Sequence, residues 1–344
     1  MAATIKDVAR LAGVSIKTVS RVVNQEPHVT ESVRSRVQQA IQTLEYAPNI
    51  SARRLVQQRS FVLCILLHTG GVSQSDLIHK ILEVGYEYDY DILIQTYFPS
   101  LNRSKKKLTS LITERRIDGL VTTPPCDTDE FLLDLVRQAQ IPLVQITPFN
   151  RSAEIPSVSG DDYQGALMMT EHLISLGHRR VAFLAGPRSH RTSIDRLYGY
   201  RAALDLHHLE YDERLVVDSE FNFDGGYTAA RILLSLEQAP TAIFAGNDEA
   251  GLGAIFALTE MGMSVPGQMS VCGFDDTHHA KHVWPGLTSV HYPINEIAEQ
   301  ALEMLVSTLT GAEPGQNQLV LPVRLVLRGS TAAVDKPGIR AGRF

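Results

Sequence analysis

The sequence is poor in cysteine and in long apolar runs, and each scarcity excludes a class of protein. Its 344 residues include three cysteines, Cys64, Cys126 and Cys272, which are too few and too scattered for a disulfide framework or a zinc site. No run approaches the roughly 18 apolar residues of a membrane span. The opening residues MAATIKDVAR lack the apolar segment of a secretory signal. We therefore expect a cytoplasmic protein with free thiols and no membrane partner.

Catalytic motifs are also scarce. The sequence has no G-x-S-x-G nucleophile elbow, no GxxxxGK[ST] phosphate loop and no HExxH zinc motif. The segment HHAKH places His278 and His282 four residues apart, but it has no companion glutamate or cysteine pair, so we interpret it as a loop. The sequence thus predicts no enzyme, no catalytic residues, no cofactor and no metal.

Charge is distributed unevenly along the chain. The whole sequence carries a net charge of −6, yet residues 1–60 hold nine basic and four acidic side chains, which gives +5 and leaves −11 on the remainder. A basic segment ahead of a larger acidic one indicates that the first part can meet nucleic-acid phosphates while the second stays away from them.

Residues 1–46 show the pattern of three short helices. Thr4 can cap the first helix with Asp7 as its capping-box partner, Gly13 breaks that helix, and Ser15 can cap the next. The apolar stripe of the first helix consists of Val8, Leu11 and Ala12. A third helix has the inner face Val33, Val37, Ala40, Ile41 and Leu44. The spacing predicts a helix-turn-helix inside an independent bundle.

The outward face of the second helix has the chemistry of a base-reading surface. The second helix of a helix-turn-helix lies in the major groove, with its first residues on the base edges. Lys17 and Arg21 can donate to guanine acceptors, and Ile16 can contact a thymine methyl group. Further candidates for contacts to phosphates or bases are Thr4, Ser15, Thr18 and Asn24. The alternative is a three-helix bundle with a solvated polar face.

The stretches TIKDVARLAGVS, TVSRVVN and VTESVRSRVQQAIQTLEYAPNISARRL closely resemble the DNA-binding head of the lactose-repressor (LacI/GalR) family. The resemblance implies a hinge over residues 47–60 that is helical on DNA and capped by Asn49, with Ala52 and Leu55 on one face. In the family, the leucines at the position of Leu55 wedge into the central minor groove of the operator. A core role for Leu55 is the alternative, but residues 47–58 offer few apolar partners.

From residue 61 onward, strand-like and helix-like segments alternate. Strand-like runs occur at 61–67, 91–97, 117–123, 142–147, 180–186, 214–219, 241–246 and 269–274. Helix-like stretches include 128–140, 164–176, 194–206, 225–236, 249–262 and 294–310. Alternation with buried strands predicts an α/β fold of two doubly wound parallel sheets, with a cleft at the carboxyl ends of the strands.

The resemblance continues through EHLISLGHRRVAFLAGP, DRLYGYRAAL, PTAIFAGNDEAGLGAIFALTEMGMSVPGQMSVCGFDD and PGLTSVHYP, and covers nearly the whole chain. It implies a two-lobed core similar to a periplasmic sugar-binding protein. The implied core is 61–334, with lobe 1 at about 61–161 and 293–322, lobe 2 at about 162–292 and 323–334, and a flexible tail at 335–344.

Carried over position by position, the resemblance also implies an effector pocket. Arg196 of RLYG, Asn247 of the NDEA element and Asp275 of GFDD would face the cleft. Further pocket candidates are His68, Gln164, Phe221 and Tyr292. The alternative for the acidic residues is a turn or cap role, which acids often have.

Together these patterns predict a sequence-specific DNA-binding repressor. It would bind a pseudo-palindromic operator as a homodimer and respond allosterically to a sugar or sugar derivative. The tail TAAVDKPGIRAGRF has no leucine heptad, so we expect a dimer rather than a tetramer. The alternatives are a purine- or nucleoside-responsive regulator that needs a corepressor, and a cytoplasmic sugar-binding module without a DNA function.

Overall fold

The computed structural model describes residues 3–23, 29–46, 59–68, 72–312 and 315–334. The chain divides into two compact units, the head (residues 1–60) and the core (residues 61–344). The predictions made for Asn24, for the hinge segment 47–58 and for the tail 335–344 lie outside the described residues.

The head contains the predicted helix-turn-helix. Its helices are α1 (Ile5–Ala12), α2 (Ile16–Val23) and α3 (Glu31–Thr43). The capping box is confirmed, because the backbone N and the Oγ1 of Thr4 donate to Asp7 Oδ2 over 3.0 and 2.6 Å. Gly13 ends α1 in the left-handed region with φ of 64°. Ser15 Oγ then accepts the backbone N–H of Thr18 at 3.1 Å and caps α2.

The head has its own apolar core, made of Val8, Ala9, Ala12, Val19, Val22, Val37 and Ala40. The prediction that Leu11 belongs to this core is wrong, because its side chain is 53% exposed. Val8, Ala9 and Ala12 lie within one arc of α1, and Leu11 projects roughly a third of a turn away from the centre of that arc. An apolar residue three positions after Val8 was therefore a misleading signal.

The core is built from two parallel sheets. Its strands are β1 (Val62–Leu67), β2 (Asp91–Thr96), β3 (Gly119–Thr122), β4 (Leu143–Ile146), β5 (Ser157–Gly160), β6 (Val181–Ala185), β7 (Val216–Asp218), β8 (Ala242–Ala245), β9 (Ser270–Cys272), β10 (Ser289–His291), β11 (Gln318–Leu321) and β12 (Arg324–Val326). Its helices are α4 (Val72–Glu87), α5 (Asn102–Thr113), α6 (Glu130–Ala139), α7 (Asp162–Ser175), α8 (Arg191–Leu206), α9 (Phe223–Leu234), α10 (Asp248–Glu260), α11 (His278–His282) and α12 (Ile294–Thr310).

The strand order separates the core into two lobes. The first lobe contains the six-stranded sheet β11-β5-β4-β3-β1-β2, and the second contains the four-stranded sheet β7-β6-β8-β9. All neighbours within these two sheets are parallel, whereas β10 and β12 form an antiparallel pair. The chain leaves the first sheet after Gly160, returns to it with β11 and leaves again after Leu321. The predicted α/β fold class is confirmed.

Some local features of the core differ from the sequence-based expectation. Strand β5 was not predicted, because its sequence SVSG carries no apolar run although all four residues are buried. The segment HHAKH forms α11, so its interpretation as a loop is wrong. The side chain of Ala280 is buried and anchors this short helix to the second lobe.

Neither a membrane span nor a metal cluster is found in the described ranges. None of the helices there is long and apolar enough to cross a membrane. The rings of His278 and His282 have centroids 4.2 Å apart, and His282 Nδ1 is 2.8 Å from the carbonyl oxygen of His278. No group of three or more histidine, cysteine, aspartate or glutamate side chains gathers in those ranges in a way that could hold a metal ion.

Candidate functional site between the two lobes

A cavity of about 590 Å³ opens between the two lobes, and we call it the interlobe cavity. Such a volume falls in the range typical of small-molecule sites. Residues that follow strands form much of its wall: His68 after β1, Thr123 after β3, Thr147 after β4, Phe221 after β7, Asn247 after β8 and Asp275 after β9. The carboxyl ends of parallel strands meet at one edge of a sheet, and the cavity lies where those edges face each other.

Most of the predicted effector residues come together here. Those that line the interlobe cavity are His68, Arg196, Phe221, Asn247, Asp275 and Tyr292. Gln164 is exposed on α7 and is not among the described lining residues. Asp161 caps that helix by accepting the backbone N–H of Gln164 on its Oδ1 at 3.0 Å. The binding roles of the six lining residues stay predictions.

Arg196 on α8 is the charged centre of the cavity, and all of its nitrogen atoms are engaged. Its Nε donates to Asp162 Oδ1 at 2.8 Å, and its Nη1 donates to the carbonyl oxygen of Gly246. Its Nη2 lies 3.4 Å from Asp275 Oδ1. Its guanidinium carbon lies 3.6 Å from the ring centroid of Phe274, a distance typical of a cation–π contact.

Of the two carboxylates around Arg196, Asp162 is buried and Asp275 is half-buried, with 14% of its side chain exposed. Burial raises the pKa of Asp275 to about 7, although the charge of Arg196 lowers it. Burial likewise raises the pKa of Asp162 against the opposing effect of Arg196. Burial alone would lower the pKa of Arg196, but the charges of Asp162 and Asp275 more than offset it, so its pKa is raised. The cluster therefore keeps Arg196 protonated, while the carboxyl groups of Asp162 and Asp275 ionise at a higher pH than they would in water.

Backbone strain is concentrated around the cavity. Thr147, Glu220, Phe221 and Asp275 have φ of 48°, 52°, 54° and 109°, in the region that favours glycine. Asp275 is held there by β10, because its N–H donates to Val290 O at 2.8 Å. Strained residues persist where the surrounding structure fixes them, and they cluster at functional sites.

Two aromatic rings that line the cavity pack directly against glycines. A Cβ on Gly186 would be 2.1 Å from the ring of Phe221, and a Cβ on Gly160 would be 2.2 Å from the ring of Tyr292. The hydroxyl of Tyr292 accepts the backbone N–H of Gly160 at 3.0 Å. The glycines therefore determine where both rings stand, and Phe221 presents a ring to the cavity of the kind that packs on sugars.

The other polar residues of the predicted pocket motifs have structural roles. Asn247 caps α10 by accepting the N–H of Ala250 at 3.0 Å, and its Nδ2 donates to Phe221 O at 2.9 Å. The Asp248 carboxylate is buried and accepts from the backbone and side chain of Thr277 and from Ser289. Asp276 pairs with His291 and Arg328. For Asp248 and Asp276, the turn-and-cap alternative describes the structure better than a ligand contact.

Several residues of the cavity were not found from the sequence. Asp162 partners Arg196 from the neighbouring helix, and the acidic residues Glu220 and Glu249 line the cavity. His190 lines it as well, and burial, aided by the nearby His68 and Arg196, lowers its pKa. Their positions in the sequence could have identified them, because each of these residues follows a strand or begins a helix in an α/β pattern.

The head presents the predicted DNA-binding residues at the start of α2. Ser15, Ile16 and Lys17 are exposed, and Ile16 is 45% exposed although it is a large apolar residue. Thr18 is half-buried, and its hydroxyl lies 2.8 Å from that of Ser15. Arg21 is half-buried in the last turn of α2. Asn49, Ala52 and Leu55 lie outside the described residues.

Two family models match the chain. Residues 4–49 match the family described as "Bacterial regulatory proteins, lacI family". Residues 170–331 match the family described as "Periplasmic binding protein-like domain". The two matches fall on the head and on the core respectively.

Similar full-length proteins support the same assignment. The ribose operon repressor of Escherichia coli (strain K12) is 32% identical over 331 residues, which cover 95% of this chain and 99% of that protein. The lac repressor dimer bound to operator and the anti-inducer ONPF is similar with a TM-score of 0.78 and 28% identity, covering 97% of this chain and 100% of the other. The complex of the transcriptional regulator CelR with cellobiose has a TM-score of 0.74 and 30% identity, covering 95% and 99%.

Proposed function

The chain belongs to the LacI family of bacterial regulatory proteins and is a DNA-binding transcriptional regulator, and we propose that it is a repressor controlled by a small carbohydrate. It would bind a pseudo-palindromic operator as a homodimer, as the symmetry of two equivalent heads requires. It would act in the cytoplasm by binding alone, without a catalytic step.

The observation that carries this proposal is the interlobe cavity in a chain that also has a helix-turn-helix head. Both lobes contribute to its wall, for example His68 and Thr147 from the first lobe and Arg196 and Asp275 from the second. A ligand that touches both lobes favours one arrangement of the lobes over another. Such a ligand shifts the regulator's equilibrium by the difference between its affinities for the two states.

The similar proteins indicate carbohydrates as the first effectors to test. The ribose operon repressor is named for a sugar operon, and CelR was solved with cellobiose. An aromatic wall such as Phe221, surrounded by polar groups, suits a sugar ring with its hydroxyls.

In the head, we propose that Ile16 and Lys17 read base edges and that Arg21 strengthens binding. Thr4, Ser15 and Thr18 would support contacts to the DNA backbone. In the hinge, Leu55 would wedge into the minor groove, with Ala52 on the same face and Asn49 as the cap of the hinge helix.

The test is selection of binding sites from a random DNA library by the purified full-length protein at physiological salt. We expect an enriched palindrome with a flexible pyrimidine–purine step at its centre. Salt-sensitive binding without an enriched sequence would contradict the proposal that the head reads bases. Repeating the selection with sugars and with purines separates a carbohydrate effector from a purine corepressor.

A further inference from the structure

The charges around the interlobe cavity are unbalanced towards the negative. Among the described residues that line it, Arg196 is the single lysine or arginine, whereas Glu220, Glu249 and Asp275 are acidic. The charge of Arg196 is already shared with two carboxyl groups, because Asp162 and Asp275 each lie against one nitrogen of its guanidinium and the carbonyl oxygen of Gly246 accepts from a third. Among the described lining residues, a phosphate or carboxylate entering the cavity would therefore meet more acidic than basic side chains.

The helix ends beside the cavity do not supply the missing positive charge in full. Helix N-termini bind anions through free N–H groups. At α9 and α10, however, Asn222 accepts the N–H of Gly225 at 2.8 Å and Asn247 accepts that of Ala250 at 3.0 Å. The N-termini of α8 and α12 have no side-chain cap, so a phosphate bound at either of them would overturn the inference.

The raised pKa values of the carboxyl groups in the cavity also indicate that its surroundings disfavour anions. Burial raises the pKa of Asp275 to about 7, even though Arg196 stands beside it. Burial also raises the pKa of Glu249, which is half-buried at the start of α10. A ligand anion placed beside these groups would also lose water, which disfavours its charged form.

We propose that the interlobe cavity selects uncharged, polyhydroxylated effectors against their phosphorylated or acidic counterparts, and that Glu249 is a determinant of this selection. The inference rests on the proposed function, because it concerns the ligand of the same site. Hydroxyl groups can both donate and accept, so they can use the carboxylates that repel a phosphate. Asp162 is a positioning residue in this arrangement, because it holds Arg196 in place from behind.

The experiment compares matched sugars on the full-length protein by isothermal titration and thermal shift. The probes are ribose with ribose 5-phosphate, glucose with glucose 6-phosphate and glucuronate, and cellobiose with cellobionate. For a sugar that binds, we expect its anionic counterpart to bind at least roughly tenfold more weakly, as like charges in a desolvated site repel each other. An anionic member that binds as tightly as its uncharged counterpart would overturn the selection, while the regulator function would stand.

Two glutamates on one helix provide a matched pair of variants. Glu249→Gln should narrow the difference between the affinities for the sugar and for the sugar phosphate several-fold, because it removes one negative charge from the wall of the cavity. Glu260 lies at the exposed far end of α10, beside Tyr227 and Arg231. Glu260→Gln should therefore leave the difference between the two affinities unchanged. Equal selectivity in Glu249→Gln and the parent would remove Glu249 from the proposal.

If none of these probes binds in the titration or shifts the Tm, both the inference and the proposed carbohydrate effector are overturned. The selection of operator DNA without a ligand would still report on the repressor function by itself. The two failures are therefore distinguishable.

Discussion

At the scale of single residues, Arg196 connects several elements of the second lobe. Its side chain is almost fully buried, and it links α8 to Asp162 on α7, to the end of β8 and to Asp275 after β9. A buried charge of this kind is tolerated because its partners are in place, and removing one partner leaves the others unpaired.

Arg196→Ala should therefore lower the free energy of unfolding by about 3–5 kcal/mol, because two carboxyl groups lose their cation. Urea unfolding followed by circular dichroism measures this. The control is Arg191→Ala on the same helix, because Arg191 is exposed and its ion pair with the half-buried Asp195 should contribute no more than about 1 kcal/mol. Equal losses of unfolding free energy in the two variants would show that the buried cluster stabilises the protein no more than the Arg191–Asp195 pair does.

Asp275 should make stability depend on pH. Its pKa of about 7 in the fold lies above its ordinary value of 3.8, so its contribution to stability is complete below about pH 4 and is lost as the pH rises through 7. The Tm of Asp275→Asn minus that of the parent should therefore become more positive between pH 5 and pH 8. A difference that stays constant or falls over this interval would contradict the raised pKa.

At the scale of elements, glycines set how closely helices approach. A Cβ on Gly253 would lie 2.0 Å from the backbone oxygen of Phe223, so α9 and α10 touch through their backbones. In the same helix, a Cβ on Gly251 would lie 3.2 Å from the end of the Leu287 side chain, which can move.

Gly253→Ala should thus destabilise the core by about 1–3 kcal/mol through overpacking of backbone against backbone. Gly251→Ala should cost less, because alanine gains roughly 0.5–1 kcal/mol of helix preference and the neighbour can yield. Thermal and urea unfolding of both variants compare them directly. A larger loss in Gly251→Ala would refute this account of the helix contact.

For α2, Lys17→Ala should change the preferred base at one position of each half-site, because an exposed lysine at the start of this helix can reach a guanine edge. Lys106→Ala removes the same charge from an exposed site on α5 in the core and should leave the selected operator unchanged. Identical operator selections for Lys17→Ala and the parent would eliminate the base-reading role.

At the scale of the whole molecule, the division at residue 60 suggests two units that fold separately. Deletion of residues 1–60 should leave a core with the parent's sugar affinity and without operator binding. Circular dichroism, titration and DNA binding would measure this. A core that fails to fold or loses its ligand would show that the head supports the interlobe cavity.

The site could be predicted only in part, and the errors have identifiable physical causes. Arg196, Asn247 and Asp275 were found because they stand in recognisable short motifs. Asp162 was missed because its partner is 34 residues away, and no local pattern connects the two. Gln164 was predicted in the pocket from the resemblance to the family, whereas the structure places it exposed on α7 and outside the described lining residues, so its binding role stays a prediction.

The sequence by itself determined the features that depend on local chemistry. Capping at Thr4 and Ser15, the break at Gly13 and the alternation of apolar runs are decided by interactions a few residues apart, so they can be read directly. The tertiary structure alone decided which side chains share the interlobe cavity, which acids neutralise Arg196 and which ones remain to face a ligand. Those outcomes depend on groups far apart in the chain, and burial sets their charge only once the two sheets have brought them together.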